Sequence, residues 1–143
     1  MEVNREYFKD GVQWDGEVEY APRFAYAPDL DSLEAAPGIV LHPLFGSQLM
    51  ISYVVFAPNA VAPVHQHPQE QITFVLEGHA EFEVGDQKQV IGPGDAVTIP
   101  RNVPHGAVAL AEGCVCIDTF APPREAFKEL MRQQAAVPQE DAP

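Results

Sequence analysis

The stretch Pro63-Val64-His65-Gln66-His67-Pro68-Gln69-Glu70-Gln71 sets two imidazoles at alternate positions and follows them closely with a carboxylate and an amide. On extended backbone, alternate side chains leave by the same face, so His65 and His67 present nitrogen donors toward one point. Such a pair is half of a transition-metal site. A third donor stands where the next strand-like run begins, at Gln71. Glu70 competes with it, because a one-residue shift in register exchanges the residue that faces inward. The fourth has to come from farther along the chain, and His105, at the end of the segment from Gly92-Pro93-Gly94-Asp95 to Val103-Pro104-His105, supplies one.

Elements that hold such donors in place are visible as short strand-like runs separated by turn chemistry. The runs are Ile39 to Leu44, Gln48 to Phe56, Gln71 to Leu76, Ala80 to Val84, Gln87 to Ile91, Ala96 to Ile99, Gly106 to Leu110 and Cys114 to Phe120. Between them lie turn signals such as Glu77-Gly78, Gly85-Asp86, Gly92-Pro93-Gly94-Asp95 and Ala111-Glu112-Gly113. Eight short strands is the count of an all-β barrel or sandwich. Helical periodicity returns only after Pro123, where Phe127, Leu130 and Met131 share one face of a short amphipathic helix, and the residues beyond about Gln133 read as a tail. Residues 1–36 form an N-terminal segment, acidic and rich in aromatics, expected to lie on the main body or on a partner subunit. The break Ala35-Ala36-Pro37-Gly38 precedes the barrel, 37–122, and the helix and tail occupy 123–143.

A length of 143 residues suits one domain with room for a cavity. The formal net charge of -13 argues against nucleic acid or an anionic membrane surface as a partner, since both are polyanions. Cys114 and Cys116 sit two apart in an apolar run, a spacing poor for a disulfide, so two buried thiols in a reducing cytoplasm are expected. The charged Met1-Glu2-Val3-Asn4-Arg5 start lacks a signal-peptide core, which agrees with a soluble cytoplasmic protein. His42, before Pro43, and His79, after Glu77-Gly78, read as surface or packing histidines.

The order His-x-His, three residues, Gln, six residues, Gly, then Pro-Gly-Asp and a distant Pro-His resembles the two sequence motifs of the cupin superfamily. The resemblance covers about residues 60 to 108 and implies a single-domain jelly-roll β-barrel in which His65, His67, Gln71 and His105 converge on one divalent metal. Zinc, nickel, iron, manganese and copper all remain candidates. Many cupins place Glu where this chain has Gln71. Three imidazoles and an amide leave the metal charge uncompensated, which favours anionic ligands.

On the last strand-like run, Cys114, Cys116, Asp118 and Phe120 share a face, and if it faces inward Asp118 is an ionisable group inside the barrel. The spacing Asp118-x-Phe120-x-x-x-Arg124, ending in Pro122-Pro123-Arg124, resembles the KdgF-like cupins of uronate catabolism. Members of that group look like metal-dependent enzymes, isomerase or lyase in type, that open the ring of 4,5-unsaturated monouronates to linear keto sugars. Carried across, the resemblance implies Asp118 as proton carrier, Arg124 as the clamp on the sugar carboxylate, and Phe120 packing on the ring. A plain Asp118–Arg124 pair locking the helix to the barrel is the structural alternative. Two other functions stay open: a cupin dioxygenase with an apolar channel from Tyr53, Phe56, Phe74 and Phe82, or a non-catalytic sugar-binding barrel. A homodimer is expected from the aromatic N-terminal segment.

Overall fold

The computed structural model describes residues 2–8 and 11–136. Its strands are β1 (Leu33–Ala36), β2 (Ile39–Phe45), β3 (Met50–Phe56), β4 (Val61–His65), β5 (Glu70–Val84), β6 (Gln87–Ile91), β7 (Ala96–Ile99) and β8 (His105–Ala121), followed by helix α1 (Glu125–Ala136). All pairings are antiparallel, in the order β1-β2-β3-β8-β5-β6, with β4 also on β8 and β7 also on β5. The expected all-β architecture with one C-terminal helix is therefore present. The sheet does not close into a ring, however: β1 and β6 are its ends. Helix α1 lies against the β1 end, where Gln134 Nε2 donates to the Ser32 carbonyl at 2.7 Å, so that edge is covered by a helix rather than by another strand.

Strands β5 and β8 pair along almost their whole length, from Glu70↔Ala121 to Val84↔His105, with register shifts between Val75 and Glu77 and between Gly78 and Ala80. A straight strand of this size would span roughly 50 Å. Yet the ring of His67 lies 4.8 Å from that of His105 and 5.5 Å from that of Phe120, so the two ends of β8 meet at one side chain. The pair is folded over. Four runs read from the sequence as separate strands are thus two long ones, and the stretches read as turns at Glu77-Gly78 and Ala111-Glu112-Gly113 are bends within them. Glycine makes the bend possible: Gly78 has φ +70, and a Cβ there would run into the Gly113 carbonyl.

Folding over sets one half of β5 and β8, with β2, β3 and β7, against the other half with β4 and β6. The inward face of the first layer is bulky: Met50, Val54, Phe56, Val75 and Phe120 alternate with outward neighbours and are buried. Facing them, the second layer turns in Ala62, Ala107 and Ala109 beside Phe82. Small side chains opposite large ones leave a cavity of about 410 Å³. Phe127 and Met131 of α1 pack on this core, and Leu130 lies at the cavity wall.

Two strands escape the sequence pattern. β4 carries Pro63 and has no alternation, and β1 ends at Ala36, where the expected break Ala35–Gly38 is the turn of the β1–β2 hairpin. Upstream, Leu30 is buried, but Tyr7, Trp14, Tyr20, Phe24 and Tyr26 are exposed, and Ser47 Oγ donates to Glu19 at 2.9 Å. The expected C-terminal tail lies outside the described residues beyond Ala136, the helix itself running on past Gln133. Among the described residues no helix is long and apolar enough to cross a membrane.

Candidate metal centre and cavity

His65, His67 and His105 come together with their ligand nitrogens within 4.8 Å of one another. His65 ends β4 and His105 begins β8, and the two are paired across the ladder. A bulge between Ala62 and His65 re-aims the latter, and Gly106 makes room for it, since a Cβ there would lie 2.8 Å from the Ala62 carbonyl oxygen. His67 follows in the loop before β5, which is tied down by Asn102 N–H to the His67 carbonyl (2.9 Å) and Arg101 Nε to the Pro68 carbonyl (3.0 Å).

Each imidazole is oriented the same way. Nδ1 of His65 faces the Pro63 carbonyl at 2.8 Å, that of His67 the Gln69 carbonyl at 3.0 Å, and that of His105 the Val103 carbonyl at 2.8 Å. A carbonyl only accepts, so every Nδ1 carries the proton and every Nε2 presents a lone pair to the centre. Burial and the nearby Arg124 charge hold His67 at a pKa of about 4, and burial lowers His105 as well, so both are neutral at pH 7.

Gln71, at 5 % exposure, points inward, while Glu70 is exposed, which resolves their competition in favour of the amide. Its Oε1 lies 3.0 Å from His67 Nε2. Two lone pairs at that distance repel unless a cation sits between them or beside them. His105 Nε2 is in addition buried without a hydrogen-bond partner. An orphaned nitrogen, two facing acceptors and three converging imidazoles fit a divalent transition metal held by His65, His67, Gln71 and His105.

Asp118 and Arg124 line the same cavity. Asp118, on β8, has Thr73 beside it on β5, and Thr73 Oγ1 donates to Asp118 Oδ1 at 2.6 Å. Burial raises the Asp118 carboxyl to about 6, against the opposing pull of Thr73 and Arg124. Arg124, just ahead of α1, stacks its guanidinium over Phe127 (4.6 Å) and Phe120 (5.4 Å). Among the described residues no ion pair within 4 Å joins it to Asp118, so a helix-locking salt bridge is not what the two form. Phe120 is 2 % exposed, edge-on to His67 and Phe127, and lines the cavity beside Asp118 and Arg124.

The remaining candidates separate cleanly. Phe56 and Phe82 line the cavity, whereas Phe74 is exposed on the outer face and Tyr53 packs near His42. His42 donates to the Leu30 carbonyl and His79 pairs with Glu112 at 2.7 Å, both away from the cluster. Cys114 and Cys116 are free and buried, and contact with Cys114, followed by burial, raises the Cys116 thiol. Thr73 went unnoticed in the sequence, where it reads as an ordinary β-former.

Comparison with known proteins agrees with this geometry. A cupin domain matches residues 52–120. The chain is 38 % identical over 84 residues to the pectin degradation protein KdgF of Dickeya dadantii, covering 58 % of this chain and 76 % of that protein. The structure of KdgF from Halomonas sp. superposes with a TM-score of 0.70 at 34 % identity, covering 75 % of this chain and 99 % of the other. Dimethylsulfoniopropionate lyase DddQ of Ruegeria pomeroyi is 44 % identical over 63 residues, which is 43 % of this chain and only 31 % of that longer protein.

Proposed function

The chain belongs to the cupin family as a KdgF-like member, and from that premise we propose that it is an enzyme that opens the ring of 4,5-unsaturated monouronates to linear keto sugars. One observation carries the proposal: a single cavity is lined by His65 and His105 of the imidazole cluster, by Gln71, by a carboxylate with a raised pKa and by an arginine that, among the described residues, forms no ion pair within 4 Å. In an acidic protein, the Arg124 guanidinium gives an anionic sugar a locally positive place to bind. Its planar fork suits the sugar carboxylate.

Ring opening moves a proton without a net gain or loss. The proton leaves the anomeric hydroxyl, the bond from C1 to the ring oxygen breaks to give an aldehyde, and the enolate left at C5 takes a proton at C4 to become a ketone. In this reading Asp118 accepts the first proton and returns it, and its pKa of about 6 supports both transfers near neutrality. Thr73 occupies Oδ1, which leaves Oδ2 for the substrate. A divalent cation held by the three histidines and Gln71 supplies Lewis acidity toward the substrate oxygens. Proton NMR of unsaturated galacturonate or guluronate with the metal-loaded protein tests the proposal; a rate no faster than spontaneous opening at high enzyme removes it.

A second function is favoured by one feature, the apolar wall of Ile39, Leu41, Val54, Phe56 and Phe82 beside the histidine cluster. An oxygenase acting on a less polar acid would use it. Oxygen consumption coupled to substrate loss, followed at an electrode, separates the two.

The exposed row Ile72, Phe74 and Leu76 on the outer face of β5 supports a homodimer through that face. Light scattering on the chain and on Phe74→Glu tests it, with a drop to monomer mass expected for the variant.

A further inference from the structure

We propose that Thr73 is a positioning residue that decides which end of the Gln71 amide faces the metal, and that Gln71 and Thr73 are matched to one another. The observation is a chain of two hydrogen bonds in the interior: Gln71 Nε2 donates to Thr73 Oγ1 at 2.9 Å, and Thr73 Oγ1 donates to Asp118 Oδ1 at 2.6 Å. Thr73 is 0 % exposed, so no water competes for its hydroxyl.

A threonine hydroxyl carries one proton. The Asp118 carboxylate takes it, and Oγ1 then meets Gln71 only as an acceptor. The end of the amide turned toward Thr73 has to be the NH₂. Oε1 is thereby aimed at His67 Nε2, where it lies 3.0 Å away, and joins the donor set instead of opposing it. An amide has two ends of nearly equal shape, and the Thr73 hydroxyl, with the Asp118 carboxylate behind it, is the side of the pocket that selects the NH₂ end. A carboxylate at position 71 would have no wrong end. It would also leave the single Thr73 proton shared between two carboxylates, so a hydroxyl at 73 serves the amide and not the acid.

This inference rests on the histidine cluster being a metal centre and not on the identity of the substrate. Its test is the affinity and absorption spectrum of the full chain with Co²⁺, and the affinity with Zn²⁺, in four variants: Thr73→Val, Thr73→Ser, Gln71→Glu and the Gln71→Glu/Thr73→Val pair. Thr73→Val is expected to weaken binding by about 10–100-fold, the usual range for losing an outer partner of a metal ligand, and to alter the Co²⁺ d–d bands. Thr73→Ser keeps the hydroxyl and should restore affinity to within about threefold. On the Gln71→Glu background the valine should cost little, because the carboxylate needs no orientation. Thr73→Ala carries the same expectation as valine should the larger side chain disturb the fold.

Wild-type affinity and spectrum in Thr73→Val, failure of serine to rescue, or an equal loss on both backgrounds would each overturn the proposal. A wild-type chain that binds neither cation would instead remove the metal centre itself.

Discussion

At the histidine end of the cavity each imidazole is fixed by a carbonyl two residues away, whereas at the carboxylate end Asp118 is fixed by Thr73, forty-five positions distant in the chain. Arg124, by contrast, rests on Phe120 and Phe127, both within four positions of it. The local arrangement depends on a few neighbouring residues. The other depends on the long β5–β8 pairing keeping its register.

Removing a donor should have the largest effect. His105→Ala is expected to lower metal affinity by more than about 100-fold, beyond the loss of an outer partner, as measured by competition with a chromogenic chelator. Retention of affinity within tenfold would mean that the histidine end is not a donor set. At the opposite end, Asp118→Asn should keep its metal and lose about 10²–10⁴-fold in kcat for ring opening. A rate within threefold of wild type would place the proton step on another group. Arg124→Gln should act mainly on binding, raising KM by about 10–100-fold with kcat little changed, as expected when a charge-assisted contact to a carboxylate is lost. An equal fall in kcat would move Arg124 from substrate binding to the chemical step.

The smallest effect concerns pH, where the two ends oppose each other in the metal-free protein. His67 has a folded pKa of about 4, below its usual 6.5, so the stability tied to its neutral form is present above pH 6.5 and lost as pH falls toward 4. Asp118 has a folded pKa of about 6, above its usual 3.8, so the stability tied to its protonated form is present below pH 3.8 and lost as pH rises through 6. Each is worth on the order of 3 kcal/mol before solvent screening reduces it. Their slopes cancel between about pH 4 and 6, and Tm should be nearly flat there. Asp118→Asn removes one slope: it should melt higher than wild type at pH 7 and lose Tm steeply on acidification. Parallel curves for the two proteins would show that Asp118 is not buried at a cost.

How much of this was legible in the sequence follows the same division. His65, His67 and His105 announce themselves because their spacing and their orienting carbonyls are local, and Gln71 is separated from Glu70 by the alternation of β5. The strand-like character of β2, β3, β6 and β7 also shows in alternating or bounded apolar runs. β5 and β8 each read as two strands because the chemistry of a turn and that of a bend within a strand are alike: both ask for glycine at positive φ. β4 was hidden by Pro63 and β1 by the Pro37-Gly38 turn. Thr73 could be found only through its position beside Asp118 across the β5–β8 ladder, a contact that no local pattern contains.

The bend at Gly78 and Gly113 also makes β8 one covalent ruler with His105 at one end and Asp118 at the other. Adding or removing a residue between Ala111 and Gly113 would slide the Asp118 half against β3 and β5 while leaving His105 where β4 holds it. Loop length at this corner is then a separate dial for the reaction. The proposed proton carrier and the proposed metal donors are thus set by opposite halves of one strand, and a one-residue insertion at the corner is expected to disturb the first while sparing the second.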